Sequence, residues 1–172
     1  MDRGRRTLSP SEAVAELACS EQELERLLSE VPFTRSYGFT LHGLADGQCT
    51  IDVPFQAVFE RPGGIVSGQV YMAAADAAMW LAIKTRLGLA DPSVTAEMKT
   101  NFLGSARREG FRCTARVLKL GRRLIYGVAE CVDGSGRLLA HHTLTYIRAE
   151  PFDRLADELL ERRASVYREL AK

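Results

Sequence analysis

The chain has 172 residues and a mass of 19.0 kDa, enough for one domain with a sizeable core. Hydrophobic residues make up 46% and charged residues 26%, as in ordinary soluble proteins. The net charge of +1 gives no sign of a nucleic-acid partner. No run reaches the roughly eighteen apolar residues of a membrane span, and no secretory signal is evident. Four separated cysteines without a CxxC pattern predict neither a zinc site nor a redox pair, so we expect a cytoplasmic protein.

Two capping-box patterns lie near the start of the chain. Residues 9–12 and 20–23 each place a serine three positions before a glutamate, which predicts two short helices. Pro32 is expected to end the second helix. We predict that residues 1–35 form a helical extension covering an edge or a face of the main fold.

Alternating apolar and polar residues then predict strands on either side of a long helix. A hairpin with Asp46-Gly47 as its turn comes first, and a loop over 55–66 leads into a helix from Gly68 to Leu87. Four further strands are predicted over 93–103, 111–119, 124–132 and 137–147. A helix that is apolar on every side needs a sheet wrapped around it, or a sheet on one side and a partner on the other. We therefore predict an α+β fold over residues 36–148, an antiparallel sheet wrapped around a central helix, followed by a C-terminal helix within 149–172.

The central helix carries one acidic residue in apolar surroundings. From Gln69 to Ile83, Gln69 and Asp76 are the only strongly polar side chains. A carboxylate without a partner in such a place costs several kcal/mol. We interpret Asp76 as a functional residue, and a structural carboxylate bonded to a neighbouring strand is the alternative. Ser67, just before the helix, is expected to cap its N-terminus.

Four segments in fixed order carry a family resemblance. Ser-Gly-Gln stands at the helix start (67–69), Asp76 follows nine residues after Ser67, and the segments TAEMKTNFL (95–103) and VLKLGRRL (117–124) follow. In order and spacing, the chain from roughly 37 to 148 resembles hotdog-fold thioesterases of the phenylacetate-degradation (PaaI-like) group.

This resemblance implies an acyl-CoA thioesterase. Asp76 would act as general base or nucleophile toward the thioester carbonyl. The backbone N–H of Gly68 would polarise the carbonyl oxygen at the positive end of the helix, and Thr95 would help to orient the attacking water. Ser67 replaces the usual histidine, and Arg61 stands where relatives often have asparagine. The resemblance implies no metal, and no cofactor beyond the coenzyme A carried by the substrate.

Two further groups of residues are expected to bind the substrate. The first would contact the acyl thioester and comprises Ser67, Arg61, Gln69 and Asn101. The second is a basic hairpin tip that could meet the phosphates of coenzyme A, although a solvated charged turn is an equal alternative; it comprises Lys119, Arg122 and Arg123. His141 and His142 point to opposite faces of a strand, and we interpret both as structural.

The spacing of Gly68 and Asp76 predicts an oligomer. Eight residues on one helix separate them by about 12 Å along its axis, too far for one carbonyl to contact both. A two-fold dimer with antiparallel central helices would bring the Gly68 of one copy near the Asp76 of the other. We therefore expect a homodimer, or a homotetramer built as a dimer of dimers.

Two other functions stay open at this stage. A non-catalytic hotdog protein could bind acyl-CoA as a sensor or regulator, because the usual histidine is missing. A hotdog dehydratase or hydratase is disfavoured, since no histidine lies at the start of the central helix.

Overall fold

The computed structural model describes residues 17–148. The first predicted helix and the predicted C-terminal helix lie outside the described residues. Within them, a 3₁₀ turn (Ala57–Phe59) accompanies these helices and strands: α1 (Glu21–Glu30), α2 (Pro32–Tyr37), β1 (Thr40–Ala45), β2 (Gln48–Val53), β3 (Glu60–Arg61), β4 (Ile65–Val66), α3 (Gly68–Leu87), β5 (Val94–Phe102), β6 (Phe111–Leu120), β7 (Leu124–Val132) and β8 (Leu138–Ile147).

Six of the strands form one antiparallel sheet in the order β1-β2-β6-β7-β8-β5. The helix α3 packs against this sheet, chiefly on β6 and β2, and also on β7, β8 and β5. Small side chains allow the close approach, and Ala74, Ala75 and Ala78 are fully buried. Strands β1 and β5 form the two edges of the sheet. The prediction of an antiparallel sheet around a long central helix is confirmed.

The bounds of α3 agree with the sequence prediction. It begins at Gly68 and ends at Leu87, and Gly88 follows in a left-handed conformation with φ 83°. Glycine adopts this conformation without a steric penalty, so it ends helices readily.

The chain around Pro32 differs from the prediction. Pro32 does follow the end of α1, but it also occupies the first turn of a new helix, α2, where its missing N–H is not needed. The hydroxyl of Thr34 donates to the carbonyl of Leu28 at 2.9 Å and joins the two helices. Leu24 and Leu28 are buried in the core, and α1 packs near β1.

The predicted loop over 55–66 contains regular structure. Strands β3 and β4 form a short hairpin with Glu60 opposite Val66 and Arg61 opposite Ile65. Gly63 and Gly64 make the turn with φ of 101° and 71°. This hairpin delivers the chain directly to the start of α3.

Candidate active site

Two hydroxyl groups hold the carboxylate of Asp76. The Thr95 hydroxyl donates to Asp76 Oδ1 at 2.6 Å, and the Tyr146 hydroxyl lies 2.6 Å from the same oxygen. Tyr146 also lies 3.0 Å from the backbone carbonyl oxygen of Asp76. The carboxylate on α3 is therefore attached to two neighbouring strands, β5 and β8.

A β-bulge in β5 places Thr95 in this position. Thr95 lies opposite Tyr146, whereas Glu97 lies opposite Thr145, so Ala96 is one extra residue in the strand. An extra residue changes which side chains face the same side of a sheet. Strict alternation had put Thr95 on the face opposite Met98. In the structure both Thr95 and Met98 lie on the face toward α3, because their partners Tyr146 and Leu144 are both buried there.

Asp76 belongs to a half-open stripe of α3. Gln69, Met72, Asp76 and Trp80 recur every three or four residues, as expected for one helix face. Gln69 and Met72 are exposed and Asp76 and Trp80 are half-buried, whereas every other residue over 70–85 is buried. Within residues 17–148 the sheet covers one side of α3 and leaves this stripe uncovered, as in the expected arrangement with a sheet on one side and a partner on the other. Asp76 is half-buried, and its carboxylate can meet a ligand from outside.

An apolar cavity of about 380 Å³ opens beside Asp76. Val31 and Phe33 line it from the junction of α1 and α2, Trp80 from α3 and Val94 from β5. The ammonium of Lys84 lies 5.1 Å from the centre of the Trp80 ring and steadies it through a cation–π contact. The site thus combines one carboxylate with an apolar wall, which suits an acyl group attached to a polar reacting centre.

The N-terminus of α3 lies at the other end of the same stripe. Ser67 occupies the N-cap position, but its hydroxyl makes no capping bond and donates instead to Gln69 Oε1. The prediction that Ser67 caps the helix through its side chain is therefore wrong. The first N–H groups of a helix have no partner within it, so the N–H of Gly68 carries the positive end of the helix dipole.

Gly68 lies directly against the ring of Phe102. A methyl group added at Gly68 would sit 3.0 Å from two ring carbons of Phe102. Strand β5 therefore meets α3 at both functional positions, with Thr95 near its start and Phe102 at its end. A second cavity, of about 390 Å³, lies at this end and is lined by Tyr37, Phe59, Ser67 and other residues including Gln69.

Within one chain, the predicted site residues thus lie at two separate cavities. Asp76 and Thr95 line the first cavity. Ser67 and Gln69, the residues on either side of Gly68 in the sequence, line the second. A larger cavity of about 560 Å³, near Pro54 and Ser135, is lined by none of the predicted residues.

Arg61 and Asn101 line neither of the two cavities on α3. Arg61 is exposed on the β3–β4 hairpin. Asn101 lies opposite His141, on the face of β5 away from α3, because Thr100 pairs with the buried His142. The predicted contacts of Arg61 and Asn101 with the substrate stay predictions.

The basic residues predicted to bind coenzyme A lie at the β6–β7 hairpin. Arg122 and Arg123 line a cavity of about 410 Å³ together with Ile147 and Arg148, and the N–H of Arg148 donates to the carbonyl of Arg123 at 3.0 Å. Since Ile147 follows Tyr146, this basic cavity lies at the Asp76 end of the sheet.

Lys119 stands apart from this basic cavity. Lys119 lies on β6 opposite Tyr126 of β7, and it does not line this cavity. The structure therefore brings together Arg122 and Arg123, with Arg148 as a third guanidinium that the sequence analysis did not single out.

Sequence reasoning also missed Tyr146. Its alternation with Leu144 and His142 along β8 indicates only a buried strand face, and nothing in that pattern points to Asp76. Burial raises the pKa of the Tyr146 hydroxyl, and the neighbouring Asp76 carboxylate raises it further. Tyr146 therefore keeps its proton and remains a hydrogen-bond donor.

Of the two histidines interpreted as structural, His142 lies in the core. His142 is fully buried, its Nδ1 lies 2.9 Å from the Thr100 hydroxyl, and its Nε2 lies 3.8 Å from the sulfur of Cys131.

Within the part of the chain described, no cluster of three His, Cys, Asp or Glu side chains is arranged to hold a metal ion, and no helix is long and apolar enough to cross a membrane.

Comparison with known proteins places this arrangement in a class. The family model of the thioesterase superfamily matches residues 63–140. A protein of Saccharolobus solfataricus named as a candidate esterase is 30% identical over 128 residues, which cover 74% of this chain and 85% of that relative. The structure of the conserved protein PA5202 from Pseudomonas aeruginosa matches with a TM-score of 0.68 and 28% identity, and covers 76% of this chain and 100% of its own.

A third match comes from Ralstonia eutropha JMP134. This protein, described as a candidate thioesterase related to phenylacetic acid degradation, gives a TM-score of 0.65 at 24% identity over 72% of this chain and 98% of its own. At that identity the match shows the fold.

The sheet, the central helix and these matches define a hotdog-fold thioester hydrolase. The chain belongs to the thioesterase superfamily.

Proposed function

We propose that this protein hydrolyses acyl-CoA thioesters, with Asp76 as the group that attacks or activates water. The observation that carries the proposal is the position of Asp76. Its carboxylate is held by Thr95 and Tyr146 at the mouth of an apolar cavity. A fixed carboxylate within reach of water is the requirement for general-base catalysis, and the apolar wall suits the acyl chain.

The reaction forms one C–O bond and breaks one C–S bond. As general base, Asp76 takes a proton from water while the water oxygen attacks the thioester carbonyl carbon. The tetrahedral intermediate then expels the thiolate, which is protonated to give the free thiol and a carboxylic acid. As nucleophile, Asp76 would instead form a mixed anhydride that water hydrolyses. In a single turnover in ¹⁸O-labelled water, label in Asp76 identifies the second route, because it arises only when water attacks the Asp76 carbonyl of the anhydride.

A second copy of the chain would complete the site. Gly68 and Asp76 are about 12 Å apart along α3, so the Gly68 N–H that polarises the carbonyl must come from another protomer. The half-open stripe of α3 and the edge strand β5 lie side by side. Antiparallel pairing of these surfaces in two copies would join the cavity beside Asp76 of one copy to the cavity at the start of α3 of the other. Support for a dimer, or a dimer of dimers, comes from this geometry and from the fold family.

Coenzyme A would be held by the guanidinium groups of Arg122, Arg123 and Arg148. They lie at the same end of the sheet as Asp76, and arginine binds phosphate through charge-assisted hydrogen bonds. This assignment accounts for a basic cavity close to an apolar one, the combination that an acyl-CoA ester presents.

The test is thiol release from a panel of short, medium, long and aromatic acyl-CoAs by wild type and Asp76→Asn. The amide oxygen of asparagine can accept the same two hydrogen bonds, so the variant should fold. We expect a loss of at least about a hundredfold in kcat. Asp52→Asn is the matched control, because Asp52 pairs with His42 and Arg112 on the exposed side of β2.

Three outcomes separate the possibilities. Loss of hydrolysis in Asp76→Asn alone, with acyl-CoA binding retained, supports the enzyme. Equal activity of both variants would refute the role of Asp76. Absence of hydrolysis in the wild type with tight binding of acyl-CoA would favour a binding protein.

A further inference from the structure

We infer that Tyr146 is a positioning residue that turns Asp76 so that Oδ2 is the oxygen that reacts. This inference rests on the proposed function and assigns roles within the same site. It concerns a residue on β8 that acts through Asp76 rather than on the substrate.

The two carboxylate oxygens have different surroundings. Oδ1 lies 2.6 Å from the Thr95 hydroxyl and 2.6 Å from the Tyr146 hydroxyl. Among residues 17–148, no donor bonds to Oδ2. Hydrogen bonds donated to a carboxylate oxygen draw on its lone pairs, so Oδ1 is engaged in holding the side chain and Oδ2 is left to accept a proton or attack carbon.

Tyr146 is the rigid member of this pair of donors. Its side chain is 2% exposed, whereas Thr95 is exposed on the edge strand. Its hydroxyl also lies 3.0 Å from the backbone carbonyl of Asp76, so one group on β8 contacts both the main chain and the side chain of the same helical residue. This arrangement fixes the carboxylate relative to the sheet before any ligand arrives, which is the preorganisation that a reacting group needs.

Burial and the Asp76 charge raise the pKa of the Tyr146 hydroxyl. The hydroxyl therefore remains a donor throughout the pH range in which hydrolysis is measured. Loss of this donor removes one of the two hydrogen bonds that orient the carboxylate and leaves the carboxylate itself in place.

The test is the separate measurement of kcat and KM for acyl-CoA hydrolysis by Tyr146→Phe. We expect kcat to fall about ten- to a hundredfold and KM to stay within about twofold. The matched control is Tyr71→Phe. Tyr71 is equally buried, and its hydroxyl accepts from the N–H of Ala106 at 2.8 Å, so this variant loses a buried hydroxyl without touching Asp76.

A structural effect alone would lower stability in both variants and leave the kcat of the folded protein unchanged in both. A wild-type kcat in Tyr146→Phe, or an equal loss of kcat in Tyr71→Phe, would overturn the inference. Should Tyr146→Phe not fold, Thr95→Val and Thr95→Ser on the exposed strand supply the test. The valine should lower kcat with KM nearly unchanged, and the serine should restore kcat; a wild-type kcat in Thr95→Val would overturn the assignment of Oδ2.

Failure of this inference is distinct from failure of the proposed function. If Asp76→Asn is inactive while Tyr146→Phe behaves as wild type, Asp76 is the reacting group and its orientation comes from elsewhere. If Asp76→Asn is fully active, the proposed site itself is refuted.

Discussion

The fully buried imidazole of His142 should make this protein acid-sensitive. Burial lowers the pKa of His142 from 6.5 to about 4, and the charge of the adjacent His141 contributes in the same direction. His142 is 0% exposed and is neutral in the folded protein above pH 4. In the unfolded chain the same group takes up a proton at about pH 6.5.

The difference between the pKa of His142 in the folded and the unfolded protein sets the sign and the size of the change in the free energy of unfolding. Between pH 6.5 and 4 the unfolded state binds more protons than the folded state, so the free energy of unfolding falls as the pH falls. Stability contributed by neutral His142 is fully present above pH 6.5 and is lost progressively toward pH 4. A difference of roughly 2.5 pKa units at about 1.4 kcal/mol each gives a loss of about 3 kcal/mol at pH 4, a large share of the roughly 5–15 kcal/mol of a typical domain.

Urea unfolding of wild type and His142→Asn between pH 4 and 8 measures this effect. The asparagine cannot titrate and can still form a hydrogen bond with the Thr100 hydroxyl. Subtracting the free energy of unfolding of the variant from that of the wild type therefore removes the contribution of the carboxylates, which both proteins share. We expect the difference between the two proteins to fall by about 3 kcal/mol from pH 7.5 to pH 4. A difference that stays constant over this range would refute the reasoning.

Three other perturbations have definite expected outcomes. Gly127→Ala would place a methyl group 2.5 Å from the carbonyl oxygen of Arg116, so the strand must shift and urea unfolding should show a loss of about 1–3 kcal/mol. Trp80→Ala enlarges the cavity beside the carboxylate. The kcat/KM measured by thiol release should therefore rise for bulkier acyl groups relative to smaller ones. Replacing Arg122 and Arg123 by glutamate should raise KM for acyl-CoA about tenfold or more, with little change in KM for a thioester that lacks phosphates; equal KM changes for both substrates would contradict phosphate binding.

Much of the fold followed from periodicity and turn chemistry. The bounds of α3, the Asp46-Gly47 turn and the strands after α3 all rest on patterns within a short window, and Gly88 is a local stop signal. Pro32 shows the limit of such signals, because proline ends one helix and starts another equally well. The helix α2 forms because α1 is buried against the core and Thr34 bonds to its end, and these contacts cannot be read from Pro32 itself.

The candidate site was predictable only in part. Asp76 was evident because a carboxylate in an apolar helix is unusual, and Gly68 and Thr95 followed from the family resemblance. Tyr146 could not be found, since it is 70 residues away in sequence from Asp76 and sits in an ordinary apolar alternation. The half-open stripe of α3 was also hidden, because Met72 and Trp80 on it are as apolar as the residues of the buried face.

The single extra residue at Ala96 has a consequence for how relatives diverge. Point substitutions in β5 change which side chain stands at a position, but they leave the two faces of the strand as they are. Deletion of one codon at Ala96 would leave Thr95 two residues before Met98, so regular alternation would keep both side chains on the face toward α3 and Thr95 opposite Tyr146. In an alignment of relatives, a one-residue gap at this place would therefore mark the loss of the bulge and not the loss of the hydroxyl beside Asp76.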